Sequence, residues 1–439
     1  MSLEPSKSTE TESAQETTLR FVHTADLHLD SPLRTLAMHN HELAELVENA
    51  THTALIRTVD FCLSQSVHAL LIAGDLYDGD QKSMHTAALL SAQMRRLDAA
   101  NIPVFIIRGN HDSRSTITKR LSLPKNVHVF DALGGRIDLT DDVGNSLATI
   151  HGVSFAKPHA PESLLPKFLL PIKDTINIGM LHTSLSGSAQ HDVYAPCSVS
   201  ELDAFGYDYW ALGHIHKRSE QGVKSTIVMP GIPQGRDVGE TGVGTISLVS
   251  INEQRDVTVQ EQPVSPVQFE IVNADVTACK DWHQLLDQLI TSIKHIRQTA
   301  QSDYVIARVV MSGNTHLHFN LVRDTDLLQS TLQAECESIG SVWIEKLRIK
   351  TNKPDNQNDA ASTHEALPDL AAIINESVLS SEQVKSNAEE ELRLFTSKLP
   401  IEVRNLFGET EQERADMLDT LLSEGSAELL GQLSIGDDS

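Results

Sequence analysis

Seven side chains of metal-ligating type stand where apolar runs end: Asp26 and His28 in HTADLHLDSPL, Asp75 in GDLYDGD, Asn110 in RGNHD, His182 in LHTS, and His214 and His216 in GHIH. Carboxylate, imidazole and amide oxygen without thiolate form a donor set that favours Mn²⁺ or Fe²⁺, with Mg²⁺ as a substitute, over a structural zinc. Two divalent ions about 3.5–4 Å apart need two half-shells and a shared bridge, and this set supplies both without surplus. Asp75 is placed to bridge, because Gly74 before it lets the backbone turn tightly at the site. Between two such ions a water is acidified for in-line attack on phosphorus. His111 neighbours Asn110 but is not needed as a ligand, which leaves it to protonate the leaving oxygen or to neutralise transition-state charge.

These residues need rigid elements to deliver them. TLRFV predicts a short strand leading to Asp26 and His28, whose i, i+2 spacing puts both on one side of an extended strand end. Residues 40–66 carry apolar residues at helical spacing, and residues 68–75 form a strand ending at a carboxylate. A helix from Ser83 to Ala100 returns the chain to a strand that ends at Gly109-Asn110-His111-Asp112. Such alternation predicts parallel βαβ units, whose ligands gather at the carboxyl ends of the strands. After residue 125, VHVFDAL, GRIDLTD, SLATIHGVSF and TINIGMLHTS read as strands of a second sheet, and YDYWAL delivers the GHIH pair. Thr226–Met229 and Gly244–Ile251 read as closing strands. Residues 266–350 alternate strand, helix, strand, helix, strand, as a compact second unit. His316-Leu317-His318 there has the spacing of a metal pair but lies away from the strand-end series, and reads as a loop or strand pair.

The motif series resembles the calcineurin-like metallophosphoesterase superfamily. HTADLHLDSPL, GDLYDGD, RGNHD, LHTSLSGSAQHDVYAPCSVSEL, YDYWALGHIHKR and PGIPQGRDVGETG are similar, more narrowly, to the YhaO group of bacterial SbcD-like DNA repair exonucleases. The resemblance implies an α/β fold, a four-layer α/β/β/α sandwich with a small α/β cap and C-terminal helices. It implies a nuclease domain over 19–262 and a capping domain that contacts DNA over 263–350; by composition, 1–18 read as a disordered tail and 351–439 as a polar linker with an acidic, amphipathic helical region expected to bind a partner. It assigns one metal ion to Asp26, His28, Asp75 and His216, and the other to Asp75, Asn110, His182 and His214. Asp75 bridges, and His111 is the catalytic histidine, oriented by Asp112. Lys217 and Arg218 are candidates for phosphate contact, and His191 and Tyr194 for the wall of the substrate cleft. Relatives of this type cut DNA with Mn²⁺ and work with an SbcC-like coiled-coil ATPase; a homodimer is compatible with the pattern.

The net charge of -25 is unusual for a DNA-binding chain, but residues 351–439 hold 19 acidic against 6 basic side chains, about half of the excess. The remainder must contact phosphate through local basic patches, metal ions or a partner. No apolar run of about 18 residues exists, so no membrane span is expected. The first 18 residues lack the apolar core of a signal peptide, and the four scattered cysteines form no CxxC pair, so a cytoplasmic protein is expected. The C-terminal helices place Leu418, Leu421, Leu422, Leu429 and Leu433 on a stripe expected to pack at least partly against another chain. The ligands fit a DNA exo/endonuclease, but equally a phosphodiesterase or phosphatase on nucleotides or phosphoproteins. A DNA-end-binding subunit with gated nuclease activity is a third reading.

Overall fold

In the segment Ala69–Ala73 (β2), Leu70 and Ile72 enter one core while Leu71 and Ala73 enter another, and all four are buried. A strand apolar on both faces belongs in the middle of a covered parallel sheet. The computed structural model describes residues 17–31, 46–47, 49–78, 83–112, 123–141, 143–185, 194–353, 373–398, 407 and 411–433. The chain divides into two compact units, Met1–Glu270 with Thr299–Ile306, and Ile271–Gln298 with Ala307–Ser439.

The first unit runs β1 (Thr17–Thr24), α1 (Ala50–Gln65), β2, α2 (Met84–Ala99), β3 (Val104–Ile107) and β4 (Val127–Val129). It continues with β5 (Gly135–Thr140), β6 (Ser146–Gly152), β7 (Asn177–His182), α3 (Val199–Phe205), β8 (Tyr209–Gly213), β9 (Ser219–Gln221), β10 (Thr226–Met229), β11 (Thr245–Asn252) and β12 (Val257–Pro263). Two six-stranded sheets result, ordered β12-β11-β1-β2-β3-β4 and β5-β6-β7-β8-β10-β9. Strands β1 to β4 are mutually parallel, as are β6, β7, β8 and β10.

Phe21, Leu71, Phe105, Ile150, Met180 and Tyr209 fill the space between the sheets. Leu55 and Val59 of α1, with Leu90 and Met94 of α2, cover the outer face of the first sheet. Helix α2 starts where expected, because Ser83 caps it by accepting from the Thr86 amide at 3.0 Å. The outer layer over the second sheet is mostly irregular chain: Phe155, Leu165 and Phe168 pack on Trp210 beside the seven-residue α3. The α/β sandwich is therefore four-layered, with a thin fourth layer.

One strand lies elsewhere than its sequence pattern suggests. VHVFDAL supplies β4, and it pairs parallel with β3 at the edge of the first sheet rather than joining the second. Asn126 holds it there, donating to Ile102 O at 2.8 Å while its own carbonyl accepts from Val104 N. The closing strand β11 belongs to the first sheet and pairs antiparallel with β1, so it ties the end of this unit to its beginning.

A third sheet, whose β13 and β14 begin in the first unit and which otherwise belongs to the second, is ordered β13 (Val267–Asp275), β14 (Tyr304–Asn314), β15 (Val342–Asn352). Helix α4 (Trp282–Thr299) buries Leu285, Leu289 and Ile293, and helix α6 (Thr325–Ile339) buries Leu328, Leu332 and Cys336, each a single stripe at four-residue spacing. Between β14 and α6 lies the short helix α5 (His318–Arg323). Of the C-terminal helices α7 (Glu382–Ser397) and α8 (Glu411–Leu433), α8 packs on α5, burying Leu418. The leucine stripe is divided on this helix. Leu418 turns inward and Leu422 is half-buried, whereas Leu421 and Leu429 are exposed, because the docked helix spends part of its apolar face within its own unit.

Candidate metal centre

The site lies where the carboxyl ends of β1, β2, β3, β7 and β8 meet. The loops after β1 and β2 run side by side: Asp26 N donates to Gly74 O, and His28 N to Asp75 O, each at 3.0 Å. Asp26 and His28 are not on an extended strand end, as their spacing suggested. β1 stops at Thr24, and both residues have positive φ, 53° and 42°. Asp75 at 50° and His214 at 103° share this left-handed backbone. Such conformations cost on the order of 1–3 kcal/mol each and persist where the surroundings enforce them, which is characteristic of functional sites.

Glycine is required beside the ligands for a steric reason. A methyl group on Gly109 would sit 2.2 Å from Asp75 Oδ1 and 2.7 Å from His182 Nε2. It would fill the space into which both ligands point. Gly74, with φ of 100°, would place one 2.4 Å from His182 Nδ1.

Two clusters of donor atoms emerge. In the first, His28 Nε2 faces His216 Nε2 at 3.1 Å, and Asp26 Oδ1 lies 4.0 Å from the latter. In the second, His182 Nε2 stands 3.3 Å from Asp75 Oδ2 and 3.1 Å from Asn110 Oδ1, with the His214 ring against that of His182. Asp75, His182 and His214 offer atoms within 4.8 Å of one another, as do Asp26, His28 and His216. All seven proposed ligands are thus brought together.

The surroundings fit divalent cations. Asp26, His28, Asp75 and His182 are 0–2% exposed, and buried carboxylates need cationic partners. Without an ion, imidazoles take that part. His182 is raised to about 9: burial works against its charged form, but the carboxylate of Asp75 outweighs burial. Burial likewise pushes Asp75 up, yet His182, then His28 and His111, hold it well below the usual carboxylate range. A metal ligand must be a neutral imidazole, so ion uptake at His182 would displace a proton.

Ligand orientation is set by further contacts. His182 Nδ1 donates to Ala73 O at 2.9 Å, so Nε2 is the nitrogen that a neutral ring would offer for coordination. His216 Nδ1 donates to Glu240 Oε1 at 2.6 Å with the same effect. The His214 amide donates to Asp26 Oδ2 at 2.9 Å, and the His111 amide to Asp75 Oδ1 at 3.0 Å. Glu240 is held down to about 2: burial opposes ionisation, but His216 and Arg236 outweigh it.

The carboxylate beside His111 is not the expected one. Asp112 turns away and accepts from the amides of Leu76, Tyr77 and Gly109 at 3.0–3.3 Å, fixing the two ligand loops together. Burial, then the charge of Asp75, raises Asp112 to about 6 against the pull of those amides. Asp78 instead meets His111 Nδ1 at 3.2 Å and lies 3.8 Å from His28 Nδ1. His111 is raised by this bond to Asp78, and Asp78 is held far below the ordinary carboxylate range by His111 and then His28. The signal for Asp78 was present, a second carboxylate three residues after Asp75 in GDLYD.

Both half-shells open on a cleft of about 870 Å³ lined by Asp75, Asn110, His111, His214, His216 and Arg236, among others. Lys217 is exposed on its wall. Arg218 is engaged, donating to Ser247 Oγ at 2.7 Å and standing 3.7 Å from Glu261. Tyr194 packs edge-on against His214, ring centroids 5.1 Å apart. His191 lies outside the described residues. His316 is exposed and His318 Nδ1 meets Thr351 Oγ1 at 2.9 Å, within the second unit and away from both clusters.

Residues 19–218 match the family model for calcineurin-like phosphoesterases, and residues 269–352 that for the middle domain of metallophosphoesterase YhaO. The chain is 30% identical over 345 residues to an uncharacterized metallophosphoesterase YhaO of Bacillus subtilis, covering 77% of this chain and 84% of that protein. The chain belongs to the YhaO-type calcineurin-like metallophosphoesterases. As such a metallophosphoesterase it is a phosphoester hydrolase, and calcineurin-like phosphoesterases use divalent metal ions. The two clusters are candidate metal-binding groups, and His28, Asp78 and His111 form a third set of donors of that kind among the described residues. This YhaO-type chain is also similar to the DNA double-strand break repair protein Mre11 of Methanopyrus kandleri, 23% identical over 232 residues that span 49% of each. Among solved structures it is similar to a dimetal phosphatase from Danio rerio, at 12% identity and a TM-score of 0.36, over 57% of this chain and all of that one. No helix among the described residues is long and apolar enough to cross a membrane.

Proposed function

We propose that this metallophosphoesterase is a Mn²⁺-dependent DNA exo/endonuclease acting in cytoplasmic DNA repair, with an SbcC-like coiled-coil ATPase as partner. The similarity to proteins named for DNA double-strand break repair carries the choice of substrate. Asp26, His28, Asp75 and His216 would hold one ion, and Asp75, Asn110, His182 and His214 the other. When bound, the two ions supply Lewis acidity to the phosphoryl oxygens and an activated water.

The chain's own residues do the rest. Asp78 engages His111 at Nδ1 and so leaves Nε2 as the ring nitrogen that delivers a proton to the leaving oxygen. The raised pKa keeps that proton on His111 to higher pH than in a free imidazole. Asp112 acts as a positioning residue, clamping the loops that carry Asp75 and Asn110.

In this reading residues 19–262 perform the chemistry, 263–350 contact DNA, and 351–439 engage the partner. The chain has no P-loop, so any ATP-driven step belongs to the partner. The test is purified protein with Mn²⁺ on linear duplex DNA and, in parallel, on bis(p-nitrophenyl) phosphate. The proposal expects strand cleavage in the first. Activity confined to the second substrate would transfer the assignment to a phosphodiesterase or phosphatase on nucleotides or phosphoproteins.

A further inference from the structure

We propose that Arg236 is the phosphoryl-binding residue of this site, presented to the cleft by Glu240. The inference rests on the phosphodiesterase reading above and adds a residue to it. Arg236 comes from the segment between β10 and β11, which is rigidly built. Ile232 N donates to His216 O at 3.1 Å, and the buried Gln234 donates to Gly235 O at 2.8 Å and Val267 O at 2.9 Å. A methyl group on Gly235 would meet Glu240 O at 2.6 Å, so the turn closes as tightly as the backbone allows.

On this frame Glu240 serves two residues. It accepts from His216 Nδ1 at 2.6 Å, and from Arg236 Nε and Nη2, the shortest of these at 2.7 Å. Nη2 stands 3.2 Å from His216 Nδ1, so the guanidinium lies beside a metal ligand. Nη1 has no partner among the described residues, and Arg236 lines the cleft together with Asp75, Asn110 and His111.

A planar cation with a free N–H edge, fixed beside a two-cluster site, suits a non-bridging phosphoryl oxygen. The two cations first suggested for this role fit less well, because Arg218 is engaged with Ser247 and Glu261, and Lys217 is an exposed, unfixed chain.

The test titrates inorganic phosphate into Mn²⁺-loaded wild type, Arg236→Gln and Arg236→Lys by calorimetry, with bound Mn²⁺ counted by mass spectrometry. Arg236→Gln is expected to weaken phosphate binding roughly tenfold or more while retaining the wild-type Mn²⁺ content. KM for bis(p-nitrophenyl) phosphate should rise more than kcat falls. Unchanged phosphate affinity would overturn the proposal; so would loss of Mn²⁺, which would make Arg236 a positioning residue for His216. Should Arg236→Gln not fold, Arg236→Lys decides: weaker phosphate binding at full Mn²⁺ content supports the role, and wild-type affinity overturns it. The phosphate titration does not require turnover, so failure of wild type to cut DNA would defeat the nuclease reading alone.

Discussion

His214-Ile215-His216 and His316-Leu317-His318 have the same spacing and opposite fates. The first pair follows β8, a buried parallel strand, and each imidazole meets a different cluster across the joint between the two sheets. The second pair opens a short helix, where His318 bonds Thr351 and His316 faces solvent. Donor type and spacing are therefore insufficient. A candidate ligand pair arises where a covered strand end aims it at other donors, and where an outer contact such as Glu240 fixes which ring nitrogen points inward.

This contrast can be broken or sharpened by substitution. His216→Ala should abolish detectable cleavage and release an ion, a loss beyond the roughly 10–100-fold typical of removing an outer-shell partner. His111→Ala should keep the full Mn²⁺ content and lower kcat about 10²–10⁴-fold, measured by single-turnover cleavage. Asp78→Asn should lower kcat about tenfold and move the alkaline limb of the pH–rate profile to lower pH. The sign follows from Asp78 raising His111: without that carboxylate the protonated acid is lost earlier as pH rises.

Glu240→Gln should weaken Mn²⁺ binding about tenfold, read by calorimetry, and lower stability on the order of 3 kcal/mol above pH 4.5. Because the folded-state value of about 2 lies below the ordinary 4.5, this stabilisation is present at neutral pH and fades as pH falls from 4.5 towards 2. At the bottom of the scale, His318→Ala should leave metal content and cleavage untouched and cost about 1 kcal/mol in thermal unfolding for the lost Thr351 bond.

The sequence was most legible where local rules suffice. Apolar runs ending in glycine and a ligand located the strand ends, and Ser83 marked the start of α2. It was least legible where a contact joins distant segments. Nothing local indicates that Asp112 binds amides of the neighbouring loop while Asp78 takes His111, since both carboxylates lie close in sequence to strand-end ligands. The Arg236–Glu240 pair was invisible for the same reason, being separated from His216 by the strands β9 and β10. The placement of β4 depended on a long-range pairing with β3 that its alternating pattern does not encode. The split of the C-terminal leucine stripe required knowing that α5 lies under α8.

The central claim is that two ions share Asp75 between the two histidine clusters. An anomalous difference map from crystals of the Mn²⁺-loaded protein tests it most directly. Two peaks about 3.5–4 Å apart on either side of the Asp75 carboxylate are expected. A single peak, or peaks that do not touch Asp75, would contradict the account.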